Sequence, residues 1–295
     1  MKMLTVFTPA YNRAYCLHHL YNSLVNQSCQ DFEWLVVDDG SQDNTRELVQ
    51  SWIDENLIPI RYFYKKNGGM HTAHNLAYEN IQTEINVCMD SDDYMPLDAV
   101  ESIITSWNIV KDNPRVAGMV GLDQAVGGGV LGPLPRDLTS VAYYKLQHSL
   151  AANGDKKFVY RTDIVKKYPK YPEYENEKLV PLSYLYFLIG RDYDIVCFNK
   201  IWALIDYQPD GSSATITKQY FQSPTGFRDA KFVEYQSTKI FKYKFKAIVH
   251  YGFTSLIKKD SLFFMKSPNP LLSILLLPLS VFVYLFMRYK LSNIK

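Results

Sequence analysis

Cysteine is scarce in this 295-residue chain, and its spacing excludes one class of metal site. The four cysteines, Cys16, Cys29, Cys88 and Cys197, form no CxxC pair, so no zinc site is indicated. The chain also opens on a strand-like run that ends at Pro9, without the segments that mark a secretory signal. We therefore expect reduced thiols and a cytoplasmic location.

Acidic residues are almost absent from the last part of the chain. Residues 236–295 contain ten lysines and arginines but a single acid, Asp260, whereas residues 1–235 contain 22 basic and 29 acidic residues. A basic tail behind an acidic body indicates an anionic partner for the tail, which could be nucleic acid or anionic lipid.

A long uninterrupted apolar run is also lacking. Residues 271–287 form a 17-residue apolar stretch that is interrupted by Ser273, Pro278 and Ser280. As a helix it would measure about 25 Å, near the lower limit for crossing a hydrocarbon layer of about 30 Å. Basic residues flank it on both sides, which favours both ends on the cytoplasmic side. We therefore expect an interfacial or re-entrant hairpin kinked at Pro278, with lipid rather than nucleic acid as the partner.

The first 120 residues alternate short apolar runs with segments of helical spacing. Strand-like runs occupy residues 3–8, 33–38, 60–64, 85–89 and 116–120, and helical patterns lie between them. This order predicts an α/β fold with a mostly parallel sheet flanked by helices. Later in the chain we expect a strand at 157–161, a helix near 182–190 and a strand pair at 194–207.

Polar segments follow four of the predicted strands, at the point where each strand ends. They comprise residues 8–12, 38–41, 65–69 and 90–93. Because ligands of such sheets bind beyond the carboxyl ends of the strands, we expect the four segments to meet in one site.

The segment Asp90-Ser91-Asp92-Asp93 is the most informative of the four. Three neighbouring carboxylates repel one another unless a cation or hydrogen-bond donors are present. Mg²⁺ or Mn²⁺ would offset this charge and bridge to phosphate oxygens. Alternatively, Asp92 or Asp93 could cap the helix that is expected after Pro96.

The segments after the first two strands suit a nucleotide. Asp38 or Asp39 could accept a hydrogen bond from a nucleobase or a ribose hydroxyl, and the Tyr11 ring could stack on a base. Each has a simpler alternative, since the aspartates could form a turn and Asn12 could cap the following helix.

Together these segments resemble the sequence motifs of a known protein family. It resembles the family 2 glycosyltransferases of the GT-A fold through FTPAYNR, VVDDGSQDNT, Asn67-Gly68-Gly69 with Ala73-His74-Asn75, and CMDSDDYMP. The likeness covers residues 1 to about 121 and is looser to about 215. It implies transfer of a sugar, with inversion, from a nucleoside diphosphate sugar, by default a UDP-sugar.

The resemblance implies a role for each matching residue. Tyr11 would stack on the base, Asp39 would bind it, Asp90 would face the ribose, and Asp92 would hold the metal ion on the diphosphate with support from Asp93. The residues expected to bind the nucleotide sugar are Thr8, Pro9, Tyr11, Arg13, Asp38, Asp39, Asn67, Gly68, His71, His74, Asn75, Asp90 and Ser91, and the residues expected to bind Mn²⁺ or Mg²⁺ are Asp92 and Asp93.

The sequence departs from the family pattern at two positions. His74 stands where many relatives have arginine, so the phosphate contact would fall to His71 or His74. Leu182 stands where many relatives have the acid that serves as general base. The base is therefore expected to be Glu177, or next Glu175, with Asp192 as a third possibility.

The second half of the chain holds one more candidate element. Residues 209–213 could form a loop that closes over the donor, or a plain turn.

Two other functions share some of these features. A nucleotidyltransferase would need a glycine-rich phosphate loop after the first strand, which the segment Thr8-Pro9-Ala10-Tyr11-Asn12 is not. A membrane-docked binding protein built on a decayed transferase is the other alternative, because Leu182 stands at the usual position of the base.

We therefore expect two functional segments. Residues 1–235 would form the catalytic domain, with a nucleotide-binding half at 1–121 and an acceptor half at 122–235. Residues 236–295 would attach it, as a peripheral or monotopic protein, to anionic lipid on the cytoplasmic face of the cell membrane. The expected acceptor is a surface polysaccharide or a lipid-linked glycan.

Overall fold

Eight strands form one mixed sheet in the computed structural model, which describes residues 2–132, 134–148, 154–206 and 215–293. The sheet order is β3-β2-β1-β4-β7-β5-β8-β6. The strands are β1 (Leu4–Ala10), β2 (Phe32–Asp38), β3 (Ile60–Tyr64), β4 (Ile85–Cys88), β5 (Val116–Ala125), β6 (Ser140–Val141), β7 (Lys156–Arg161) and β8 (Asp194–Ile205).

The first four strands are parallel, and β1 lies at their centre. Its register places Leu4 beside Phe32 of β2 and beside Ile85 of β4. All seven β1 residues are buried, as expected for a parallel strand that is covered by helices on both faces. The carboxyl ends of β1, β2 and β4 therefore lie along one edge of the sheet.

Four helices connect and cover these strands: α1 (Leu17–Val25), α2 (Thr45–Glu55), α3 (Met70–Asn80) and α4 (Ala99–Val110). In α1 the buried residues Leu17, Leu20, Tyr21 and Leu24 recur at helical spacing, so the helix packs one apolar face on the sheet. Tyr21 stacks on Trp52 of α2 with ring centroids 4.3 Å apart, which joins the two helices.

The strand β7 interrupts the parallel order. It lies between β4 and β5 and is antiparallel to both, whereas β5 and β8 are parallel to each other. The short strand β6 pairs antiparallel with β8 at the edge. Two short helices, α5 (Tyr143–His148) and α6 (Thr162–Val165), flank β7 along the chain.

The chain divides into two compact units. The first comprises Met1–Pro169 and Asp192–Gln208, and the second comprises Lys170–Arg191 and Pro209–Lys295. The second unit is helical and contains α7 (Ser183–Ile189), α8 (Ile216–Gln222), α9 (Pro224–Ser237), α10 (Phe241–Ile257), α11 (Phe263–Lys266), α12 (Pro270–Leu275) and α13 (Leu277–Ser292). Helix α9 packs with α10, and α8 contacts α9, α10 and α13, so residues 216–237 fold with the tail helices.

The apolar stretch of the tail is divided between α12 and α13. The break falls at Leu276, and Pro278 lies in the first turn of α13, where a proline is compatible with a helix. Within the described part of the chain, no helix is both long enough and apolar enough to cross a membrane.

The structure confirms the predicted α/β fold with a mostly parallel sheet, and it corrects three details. Residues 194–205 form one strand rather than a strand pair, with irregular pairing to β5 on both sides of Leu122. The fifth strand continues to Ala125, beyond the predicted end. Helix α4 begins at Ala99 with Asp98 at its N-cap position, so neither Asp92 nor Asp93 caps it. The loop predicted at 209–213 lies outside the described residues.

Candidate active site

The segments that follow β1 and β2 are joined by hydrogen bonds. The Asn12 backbone N–H donates to Ser41 Oγ at 2.9 Å, and the Gln42 N–H donates to Asn12 Oδ1 at 2.8 Å. Asn12 has a φ of 53°, a conformation that asparagine tolerates better than most residues. Tyr11, just before it, leaves 45% of its surface exposed, so its ring is available for stacking on a ligand.

Arg13 connects this segment to the acidic turn after β4. Its backbone N–H donates to Thr45 Oγ1 at 3.0 Å. Burial lowers the pKa of the Arg13 guanidinium, but the negative charge of Asp92 and the nearby Tyr15 and Cys16 side chains together outweigh this effect, so that pKa is raised. Arg13 and Asp92 therefore lie close enough to attract each other, which brings the ends of β1 and β4 together.

Several predicted binding residues at the ends of β1 and β2 are fully buried and support the fold. Thr8 Oγ1 accepts a hydrogen bond from Trp34 Nε1 at 3.0 Å, and Pro9 is buried in β1. Asp38 accepts hydrogen bonds from the Ser41 N–H at 2.7 Å and from the Tyr62 hydroxyl at 2.5 Å. These contacts assign Asp38 to the turn, which was the alternative that the sequence left open.

Asp39 organises the segment before α3. Its carboxylate accepts hydrogen bonds from Lys65 Nζ at 2.7 Å, from the Gly68 N–H at 2.9 Å and from the Gly69 N–H at 2.7 Å. The predicted residue Gly68 is thereby fixed against the end of β2. Lys65, which was not among the predicted site residues, adds a positive charge to this end of the sheet.

Gly40 also allows the segment before α3 to lie close to the end of β2. Its φ is +85°, and a Cβ atom there would lie 2.7 Å from the Asn67 backbone nitrogen. Any larger residue would push the Asn67 segment away from the end of β2.

His74 does not fit the predicted phosphate contact. Its ring is fully buried, edge-on to Phe7 with centroids 4.9 Å apart, and Nε2 lies 3.5 Å from Cys88 Sγ. Burial, reinforced by His71, lowers the pKa of His74 to about 3. A neutral ring inside the core offers no charge to a phosphate. His71 and Asn75 are also buried in α3.

The acidic turn lies at the end of β4, as predicted. The Asp93 N–H donates to Asp90 O at 3.2 Å, and Cys16 Sγ donates to Ser91 O at 3.5 Å. Asp90 and Asp92 are partly exposed, whereas Ser91 and Asp93 are buried. The turn therefore presents two of its carboxylates toward the surface and keeps the third inside.

Asp93 is held by Lys157 on β7 and by Asp206, which directly follows β8. Its Oδ1 accepts a hydrogen bond from the Asp206 N–H at 3.3 Å, and its Oδ2 lies 3.7 Å from Lys157 Nζ. Burial raises the pKa of Asp93, and Lys157 opposes that rise. These contacts hold Asp93 inside the protein, and the partly exposed Asp92 is therefore the better candidate for a metal ligand.

Sequence reasoning missed two buried charged residues beside this turn, Lys157 on β7 and Asp123 on β5. Burial raises the pKa of Asp123 to about 6, and Lys157 opposes that rise. An acid after the apolar run 116–120 was a visible signal. Lys157, in a run that reads as an ordinary half-exposed strand, gave no such signal.

The carboxylates of this edge fit a divalent ion that is shared with a ligand. Of the residues that the structure describes, no three or more His, Cys, Asp or Glu side chains form a metal site by themselves. Mg²⁺ commonly binds through one or two carboxylates together with phosphate oxygens of a substrate. Asp92, with Asp90 beside it, supplies that number of ligands.

Glu177 does not fit the predicted general base. Its carboxylate accepts hydrogen bonds from the Thr225 N–H at 2.8 Å, from the Gly226 N–H at 3.0 Å and from the Thr225 hydroxyl. It therefore caps the first turn of α9, and Lys258 Nζ lies 3.6 Å away. Both carboxylate oxygens are thus occupied inside the second unit, where they are not available to an acceptor hydroxyl.

The other two candidate bases have different surroundings. Glu175 is exposed in the second unit. Asp192, in the first unit, accepts a hydrogen bond from the Tyr168 hydroxyl at 2.7 Å. Of the two predicted glutamates, only Glu175 keeps its carboxylate at the surface.

The chain matches a known family over more than half of its length. The model of the family described as "Glycosyl transferase family 2" matches residues 5–168. A chondroitin synthase of Pasteurella multocida (strain Pm70) is 35% identical over 99 residues, which cover 34% of this chain and 10% of that protein. The chain spans 40% or less of the length of the first curated relatives it matches.

Two solved structures share the fold. S. aureus TarS 1–349 in complex with UDP-GlcNAc has a TM-score of 0.61 and 18% identity, covering 90% of this chain and 76% of that one. The mannosyltransferase PcManGT from Pyrobaculum calidifontis, in complex with GDP-Man and Mn2+, has a TM-score of 0.56 and 16% identity, covering 94% and 72%. At these identities the likeness supports the GT-A-type fold alone.

Proposed function

Since the chain belongs to glycosyl transferase family 2, we propose that it transfers a sugar from a nucleoside diphosphate sugar to an acceptor hydroxyl. The observation that carries the proposal is the convergence of Tyr11, Asp39 and Asp92 at one edge of the sheet, where β1, β2 and β4 end. A parallel sheet binds nucleotides at such an edge.

Each part of the donor has a matching group at this edge. The exposed Tyr11 ring would stack on the base. Asp39, with the adjoining Gly68 segment, would recognise its polar edge. Asp90 would face the ribose, and Arg13 and Lys65 add positive charge for the diphosphate. UDP is the proposed nucleotide, a choice supported by the TarS complex named above.

We propose Mn²⁺ or Mg²⁺ as the cofactor, held by Asp92 together with the donor diphosphate. Such an ion would neutralise the negative charge of the departing nucleoside diphosphate. The partly exposed carboxylates of the acidic turn support this role, as does the Mn2+ in the PcManGT complex.

Inverting transfer requires a group that takes the proton of the acceptor hydroxyl. Because Glu177 caps α9, we assign this proposed role to Glu175. The capping role of Glu177 favours one second candidate function, a protein that binds a nucleotide sugar without transferring it.

A donor screen tests the proposed function. Purified protein is incubated with UDP-, GDP- and other nucleotide sugars, with and without Mn²⁺, and nucleotide release is measured. We expect release with one donor class, dependence on Mn²⁺, and a loss of at least about 100-fold in the Asp92→Asn variant. The matched control is Asp112→Asn, at an exposed aspartate beyond the end of α4, which should keep full activity.

The outcomes separate the candidate functions. Binding of a nucleotide sugar without release would favour the binding protein. Failure to bind any nucleotide sugar would contradict both candidates.

We further propose that the protein acts at the cytoplasmic face of the cell membrane, on a surface polysaccharide or a lipid-linked glycan. The support comes from the tail. Every exposed residue between Leu271 and Phe286 is apolar, and exposed basic residues flank this stretch at Lys258, Lys259, Lys266, Arg288 and Lys290. An apolar face edged by lysine and arginine matches a bilayer that contains anionic lipid.

A further inference from the structure

A lysine is buried behind the acidic turn. Lys157, on β7, leaves only 6% of its surface exposed. Because β7 is antiparallel to β4, with Val159 beside Val87, its first residues lie next to the end of β4 that continues into the acidic turn. The positive charge of Lys157 is therefore placed on the protein side of that turn.

Carboxylates from two other strands surround this charge. Lys157 Nζ lies 3.7 Å from Asp93 Oδ2, and the strongest attraction comes from Asp123 on β5, followed by Asp90. Burial lowers the pKa of Lys157, but these carboxylates outweigh the effect and raise that pKa above its ordinary value.

The register of β5 explains the position of Asp123. Lys157 pairs with Gly121, so Asp123 lies diagonally across from it on the same face of the sheet. Asp123 is 1% exposed, and within the described residues its Oδ1 has no hydrogen-bond partner. Its carboxylate therefore depends on the nearby ammonium group for compensation.

The fold alone does not need this arrangement. Burying an ion pair removes two charges from water, and apolar residues of similar size are often at least as stabilising. The neighbouring strand residues Val159 and Met119 show that this part of the sheet is otherwise apolar. A charged group kept at such a place is better explained by the acidic turn beside it.

We propose that Lys157 is a positioning residue for the acidic turn, which holds Asp93 and offsets the charge of Asp90 and Asp123 so that the turn is formed before the divalent ion and the donor bind. Asp93 is then held from two sides, by Lys157 and by the Asp206 N–H. Asp92 and Asp90 remain partly exposed for the ion and the nucleotide. This inference rests on the proposed function.

The test uses paired substitutions, because Lys157→Met alone would leave Asp123 buried and uncompensated and could unfold the protein. The double variant Lys157→Met/Asp123→Asn removes both charges together. Binding of Mn²⁺ in the presence of UDP is measured from the free-ion signal in electron paramagnetic resonance, and folding is measured by thermal unfolding.

The matched control removes a second Lys–acid pair far along the chain. Lys231 and Glu234 on α9 form an ion pair of 2.6 Å, with Glu234 buried. The variant Lys231→Met/Glu234→Gln should bind Mn²⁺ with UDP as the unchanged protein does. The single variant Asp123→Asn, which keeps Lys157, should also stay within about threefold, because Asp93 retains its cation.

For the folded Lys157→Met/Asp123→Asn variant we expect a loss of about tenfold or more in Mn²⁺ affinity, the usual effect of removing a residue that orients metal ligands. Unchanged or tighter Mn²⁺ binding would overturn the inference, because Lys157 and Asp123 would then have only a structural role. If the unchanged protein binds no Mn²⁺ with UDP or with any other nucleoside diphosphate of the donor screen, the proposed function fails instead, so the two failures are distinguishable.

Discussion

Glu177 and Glu175 lie two positions apart, but their surroundings differ. Glu177 is 8% exposed and accepts hydrogen bonds from the first turn of α9, whereas Glu175 is exposed. The same type of side chain therefore serves in one place as a helix cap and is exposed at the surface in the other.

We predict that substitution of Glu177 lowers stability, whereas substitution of Glu175 lowers activity. Glu177→Gln should lower the free energy of unfolding by about 2–3 kcal/mol, because it removes charge-assisted hydrogen bonds in a buried site. Glu175→Gln should leave stability unchanged and lower kcat by about 100-fold or more, the usual contribution of a general base. Urea unfolding and nucleotide release measure the two effects. Full activity of the Glu175→Gln variant would show that Glu175 is not the general base.

The burial of His74 should make the stability of the protein depend on pH. Its pKa is lowered to about 3 in the folded state, against about 6.5 in the unfolded chain. Between these pH values His74 binds a proton in the unfolded chain but not in the folded protein. The free energy of unfolding is therefore highest above about pH 6.5 and falls as the pH decreases toward 3.

Between pH 7 and pH 5, His74 should lower the free energy of unfolding by about 2 kcal/mol. The variant His74→Gln, which cannot titrate, should show a correspondingly flatter profile when urea unfolding is measured at both pH values. Parallel profiles for the two proteins would contradict a neutral, buried His74.

At the scale of the elements, the turn after β2 determines how close the α3 segment comes to the site. Gly40 faces the Asn67 backbone, and Asp39 holds Gly68 and Gly69 through hydrogen bonds. The end of one strand and the start of one helix are thus fixed as a single surface, at which we propose that the base binds.

We predict that Gly40→Ala separates these elements. The substitution forces an alanine to φ +85° with its Cβ 2.7 Å from Asn67 N, which should cost about 1–3 kcal/mol of stability. It should also weaken UDP binding by about tenfold, because the Gly68 segment moves away. Gly129→Ala is the matched control, since a Cβ there meets nothing within 4 Å. Calorimetric UDP binding measures the effect, and equal affinities for both variants would exclude the steric explanation.

The elements near the N-terminus could be predicted from sequence because their signals are local. Apolar runs and helical spacing located β1 to β4, and the polar segments after them located the site. The roles of His74 and Glu177 could not be predicted in this way, because each depends on burial against distant residues such as Phe7 and Thr225. Lys157 was missed for the same reason, since its partners lie on other strands.

At the scale of the whole molecule, the two units carry different chemistry. The first unit contains the predicted nucleotide-binding residues, and the second contains the apolar face of α12 and α13. Along that face Leu271, Leu275 and Phe282 leave 79%, 70% and 64% of their surfaces exposed. Side chains of this size rarely remain in water as a contiguous patch without a partner.

We predict that vesicles containing anionic lipid carry the full-length protein upward in flotation, whereas neutral vesicles carry less of it. Phe282→Ser/Phe286→Ser should abolish flotation without loss of nucleotide release, because both rings are exposed and support no described core contact. The matched control, Leu57→Ser/Ile109→Ser, removes two equally exposed apolar side chains from the first unit and should float as before. High salt should weaken binding, because it screens lysine and arginine from the lipid head groups. If the unchanged protein stayed at the bottom with every vesicle, the apolar face would have to meet something other than a membrane.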